Sequence, residues 1–311
     1  LIQNFPKASP AALAEAHFLL GRAAFDQGDF KSSISHMAEA KTLDPQKYGE
    51  QVNVLSVLSY HKLQDMNKLK EALETLQKEN PSAVARVPDV IPAWLGLQAY
   101  GMKDLETADK YMTWATQNDQ LQNVKKVIWR NLAKVRLALK KYDRALVASN
   151  NFLKDEDQPY RRADGMLDKA SILLGLGKYA DARKTAEDAL ALGVEGPLMA
   201  SLKIVLGDIS YAEKKFDEAA KHYGVTAELF VNDAELNPKA LFKAAEALDK
   251  AGRKSEVAYQ KAKKMVELKR DIEFAAINNG TAIAPAAGVA QSRSLGYAHW
   301  PERGRGHLRA A

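Results

Sequence analysis

The sequence predicts an all-α chain of about seven stacked helical hairpins, and three observations predict it. Amphipathic helical stretches come in pairs broken by short polar turns. A pattern at the start of each second helix recurs at a nearly constant interval: an aromatic or aliphatic residue, two others, then a small or aliphatic one. Prolines fall between the pairs or near their ends, where they punctuate helices.

The recurring pattern is Phe30…Ser33, Met66…Leu69, Leu105…Ala108, Tyr142…Ala145, Tyr179…Ala182, Phe216…Ala219 and Lys254…Val257, weakest at the second and seventh places. Its closing residues lie 36, 39, 37, 37, 37 and 38 positions apart. That spacing is too regular for an arbitrary series of amphipathic helices.

The first pair, Ala14 to Pro45, has its helices separated by Gln27-Gly28-Asp29 and ends at Asp44-Pro45. Gly21 sits where the two helices must approach closely, and Ser33 and Ala40 face it from the second helix. Val57 stands at the Gly21 place in the second pair, which departs most from the pattern. Small residues return in the third to seventh pairs as Gly96, Ala133, Ala170, Gly207 and Ala245. Close packing at such a place offsets glycine's helix penalty. Pro45, Pro81, Pro159, Pro197 and Pro238 serve as the punctuation.

On these residues the chain resembles the tetratricopeptide-repeat family, over roughly residues 11–270. Trp129 stands where that family often carries tryptophan. The resemblance implies a right-handed α-solenoid whose first helices line an inner, concave wall that holds another protein or peptide. The interval near 37 exceeds the family's usual ~34, so slightly longer helices or inter-pair loops are expected.

On that register the expected protein-binding residues are Phe18, Arg22 and Phe25, with Glu15 beside them, in the first hairpin. Arg130, Asn131 and Lys134 follow in the fourth, Tyr211 with Asp208 in the sixth, and Phe242, Lys243 and Glu246 in the seventh. Aromatics beside arginines dominate interface energetics, whereas Phe25 and Tyr211 fit packing between hairpins equally well. Some members of the family grip a peptide carboxylate with repeated lysines and asparagines. Here Arg130, Asn131 and Lys134 come near that pattern, but Asp164, Leu167 and Asp168 in the next hairpin argue against it.

Two ends differ from the middle. Residues 1–10 resemble the last turn and exit proline of an earlier hairpin or a linker. The run Phe5 to Pro10 leading into Ala14-Glu15-Ala16 is also similar to repeat junctions of bacterial envelope proteins. That likeness favours the periplasm or envelope, with the cytoplasm as the alternative. At the other end, all 31 lysines lie at or before Lys269, while the last 42 residues hold five arginines, Arg270, Arg293, Arg303, Arg305 and Arg309. Residues 271–311 are therefore expected to be an atypical tail, either an unstructured arm or a segment of foreign origin.

Composition excludes several classes. The 311 residues are 46% apolar and 27% charged, which suffices for a large core and excludes a wholly disordered chain. Cysteine is absent, which removes disulfides, thiolate metal sites and cysteine nucleophiles. A net charge of +6 without a basic block argues against a dedicated nucleic-acid binder. The six histidines form no HExxH pair or metal-spaced cluster. His36 and His222 fall at one repeated surface position, and His17 reads as a packed inter-helix residue. Gly175-Leu176-Gly177-Lys178 lacks the strand and the hydroxyl of a phosphate loop and reads as the fifth hairpin's turn.

The sequence thus predicts a non-catalytic scaffold or adaptor that needs no cofactor and binds another polypeptide. A regulatory or targeting region of a larger enzyme, and nucleic-acid binding through the arginine-rich tail, are the alternatives.

Overall fold

A computed structural model describes residues 9–117 and 122–252. Among these the chain is α-helical, with one 3-10 segment, and it divides into two compact units that meet in sequence at Asp157 and Gln158.

The first unit carries four hairpins: α1 (Pro10–Asp26) with α2 (Phe30–Leu43), α3 (Pro45–Lys62) with α4 (Met66–Glu79), α5 (Val90–Gly101) with α6 (Leu105–Ala115), and α7 (Gln122–Ala138) with α8 (Tyr142–Lys154). The second unit carries α9 (Pro159–Gly175) with α10 (Tyr179–Leu190), α11 (Gly196–Ala212) with α12 (Phe216–Leu229), and α13 (Leu236–Lys250). The described residues therefore hold six complete hairpins and the first helix of a seventh. The expected partner of that helix, marked by Lys254…Val257, lies outside the described residues, as do the N-terminal segment up to Ala8 and the tail 271–311.

Unequal intervals have local causes. Asp44 ends α2 and also caps α3, where its side chain accepts from the Lys47 amide, so the first two hairpins join without a loop. This explains the short interval of 36. A 3-10 segment, Pro81–Arg86, is inserted between α4 and α5 and accounts for the long one of 39.

The turns inside the hairpins are one structure repeated. Each has a residue with left-handed φ: Gly28 at 82°, Gln64 at 55°, Lys103 at 63°, Lys140 at 57°, Gly177 at 72°, Lys214 at 63° and Gly252 at 72°. In the six complete hairpins the following amide reaches back five residues, as Asp29 N–H to the Ala24 carbonyl at 2.9 Å and Lys215 N–H to Ser210 at 2.8 Å. This is the Schellman closure, which satisfies carbonyls the helix end leaves unpaired. The Gly175–Lys178 run is such a turn, as expected.

No hairpin buries its apolar face alone. Ala14, Met37, Ala40, Tyr48 and Val52 form one cluster that spans α1 to α3. Val57, Leu69, Leu73, Leu76, Ile91, Leu95 and Tyr111 carry the core from α3 to α6. In the second unit, Ile204, Tyr223, Ala244 and Ala247 join α11, α12 and α13. Close approach within a pair needs a small residue: a Cβ on Gly96 would lie 2.7 Å from Met112 Cγ and 2.9 Å from its backbone nitrogen.

Candidate first-helix binding face

Within each unit the first helices lie side by side. Phe18 of α1 stacks on Tyr48 of α3, with centroids 4.8 Å apart at 27°, and His61 of α3 meets Trp94 of α5 edge-on at 5.5 Å. In the second unit Asp208 of α11 accepts from Lys243 Nζ of α13 at 2.6 Å. Within a unit, the repeat register thus brings side chains of neighbouring first helices together.

The sequence-predicted residues divide into those used for packing and those left open. Phe25 packs edge-on against Phe30 at 5.4 Å, and Tyr211 does the same against Phe216 at 5.2 Å. Lys243 is engaged twice, by Asp208 and over the Tyr223 ring at 5.5 Å. The guanidinium of Arg130 lies 5.8 Å from the Phe152 ring, and Asn131 and Lys134 beside it are half-buried. Arg22, Phe242 and Glu246 are exposed, Phe242 to 41%. Lys243, Phe242 and Tyr211 belong to neighbouring first helices of the second unit. Arg22 and Arg130, by contrast, stand at opposite ends of the row of four first helices in the first unit.

Tyr223 donates its hydroxyl to Asp208 Oδ1 at 2.6 Å. Burial, then that hydrogen bond and the Asp208 charge, push the phenol above its ordinary value. Asp208 therefore holds a neutral phenol and an ammonium together, a fixed polar node beside the exposed Phe242.

Sequence reasoning missed His61, Trp94 and Tyr100, all half-buried on the first helices of the second and third hairpins. His61 and Tyr100 occupy the repeat position of Phe25, so extending the register by one column would have found them. Burial lowers the His61 pKa, with a smaller push from Lys62, which favours the neutral ring against Trp94. His36 is half-buried, and its Nδ1 lies 3.0 Å from Nδ1 of His17 across the first hairpin.

Among the described residues no group of three or more His, Cys, Asp and Glu could hold a metal ion, and no helix is long and apolar enough to cross a membrane. What the face presents is a mixture of aromatic, basic and acidic groups suited to contact.

The architecture defines an all-α helical-repeat protein. A family model described as tetratricopeptide repeat matches residues 7–48 and 167–229. A model described as SU10 major capsid protein matches residues 243–299, a segment that begins in α13 and contains the change in lysine usage.

Among solved structures, the apo form of RapI is similar with a TM-score of 0.51 and 16% identity, over 85% of this chain and 79% of that one. BtubC from P. vanneervenii has a TM-score of 0.50 and 18% identity over 73% and 95%. The Naa15/Naa10 complex bound to HypK-THB has a TM-score of 0.51 and 15% identity, and the match covers 80% of this chain and 36% of that one. These likenesses concern the fold. No curated protein sequence matches.

Proposed function

We propose that the chain is a non-catalytic protein-binding scaffold that takes a partner polypeptide along its first-helix face. Tetratricopeptide-repeat proteins are generally scaffolds of this kind, and the repeat type supports the reading. The observation that carries it is the residue set left over after packing. Among the described residues, Arg22, Phe242 and Glu246 make no hydrogen bond or ion pair and are exposed; in the first unit Arg22 shares the first helices with half-buried aromatics such as Phe18, His61 and Tyr100, and in the second Phe242 and Glu246 share one helix. An extended peptide or a helix laid across such a row touches several hairpins at once, so modest contacts add up.

The test is affinity for a partner isolated from the native organism, measured with Arg22→Ala and Phe242→Ala against Lys31→Ala on the exposed side of α2. Loss of an arginine or aromatic contact costs ~1–3 kcal/mol, roughly 5- to 150-fold in Kd. Equal affinity in all three variants contradicts this surface. A partner whose binding disappears only on deletion of residues 271–311, and weakens steeply with salt, assigns the activity to the tail instead.

A further inference from the structure

The paired histidines of the first hairpin have a use that the binding face does not explain. His17 lies one helical turn before Gly21 on α1, and His36 directly precedes Met37 on α2. Gly21 and Met37 form the close approach of that hairpin: a Cβ on Gly21 would lie 3.0 Å from Met37 Cγ and 3.2 Å from its nitrogen. The two backbones are therefore held at short range beside the rings. The rings sit 5.2 Å apart at 46°, both half-buried, with their Nδ1 atoms 3.0 Å from each other.

We infer that His17 and His36 form a two-histidine chelate for a borderline divalent ion, of the Cu2+ or Ni2+ type, that clamps α1 to α2. Two nitrogens 3.0 Å apart, each at an ordinary metal–nitrogen distance, subtend about 95° at the ion. That is near the right angle between neighbouring ligands in tetragonal Cu2+ and Ni2+ sites, and imidazole suits both ions. Without metal, a proton on one Nδ1 bridges to the other. For both Nδ1 atoms to ligate, the ring carrying that proton takes its Nε2–H tautomer. Partial exposure leaves the remaining coordination positions to water.

The repeat supplies its own control. His222 occupies the same second-helix position in the sixth hairpin, but Lys203 stands at the place of His17; burial lowers the His222 pKa, Glu218 opposes that, and Arg183 and Lys203 add to it. Lys203 offers no imidazole, so the two-histidine arrangement is not repeated there.

The experiment is calorimetric titration of the full chain with CuCl2 and NiCl2 in a non-chelating buffer, with His17→Gln, His36→Gln, both together, and His222→Gln. The wild type is expected to bind one equivalent more than the double variant. Each single variant is expected to weaken that equivalent at least ten-fold, while His222→Gln leaves it unchanged. The same number of equivalents in wild type and double variant, or loss of that equivalent in His222→Gln, overturns the proposal. A measurement independent of the variants is Cu2+ electron paramagnetic resonance on the wild type at one equivalent. Two imidazole nitrogens bound to one copper are expected, and one or none overturns the chelate.

Discussion

Asp109 and Arg183 occupy the same repeat position, directly after the closing alanines Ala108 and Ala182, and both reach across to the next hairpin. Asp109 accepts from Arg136 Nε at 2.8 Å and Lys141 Nζ at 2.7 Å, while Arg183 donates to Glu213 and Glu218, both at 2.7 Å. One node is thus built with opposite signs in the two units. Asp109 and Arg136 are both buried, and an ion left there without its partner is costly. Asp109→Asn is expected to destabilise the first unit by ~3 kcal/mol, read by urea denaturation. Arg183 is more exposed, so Glu218→Gln should cost ~1 kcal/mol or less. Burial works against the Asp109 charge, but the hydrogen bonds from Lys141 and Arg136 outweigh it and hold the carboxyl below its ordinary value of 3.8. A depressed folded-state pKa means that this stabilisation is complete above the unfolded value, near 4, and is lost as pH falls through the lower folded value. Stability measured between pH 5 and pH 2 should fall less steeply in Asp109→Asn than in the wild type. Equal slopes would place the acid sensitivity elsewhere.

The hairpin turn is the element that the chain copies most faithfully in backbone and least faithfully in sequence. Only Gly28, Gly177 and Gly252 of its seven left-handed positions are glycine. At the others a side chain bears a steric cost of ~1 kcal/mol, partly offset because glycine loses more freedom on folding. Lys103→Gly and Lys214→Gly should each stabilise by ~0.5–1 kcal/mol, visible as a Tm rise of about 2–4 °C per kcal/mol. Start signals differ as well. Asp29, Asp65 and Asp104 cap the second helices of the first three hairpins through their side chains, whereas Lys141, Lys178 and Lys215 hold that place in the next three without capping. Lys178→Asp should therefore stabilise the fifth hairpin by ~1 kcal/mol. Gly96→Ala should destabilise by ~1–3 kcal/mol, because Met112 backbone as well as side chain stands against the added methyl. A neutral Gly96→Ala would mean that α5 and α6 are not held at this distance.

Across the whole molecule, the hairpins were legible because stacking demands the same small and aliphatic residues at every interval, and Ser33, Ala108, Ala145, Ala182 and Ala219 are all fully buried as that demand requires. The proposed binding face was a matter of residue type alone in the sequence. An inner-face aromatic can pack on its neighbour or wait for a partner, and residue type does not separate the two: Phe25 and Tyr211 pack, Phe242 stays open. Lys243 looked available because its partner Asp208 lies 35 residues away, on the previous first helix. The His17–His36 contact was hidden for a similar reason, since it joins two helices 19 residues apart with no motif to mark it. Hydrogen exchange of the chain with and without its isolated partner tests the scaffold reading most directly. Slowed exchange is predicted along α1, α3, α5 and α7 or along α9, α11 and α13, with α2, α4, α6 and α8 little changed. Protection confined to the second helices, or to residues beyond 270, would contradict it.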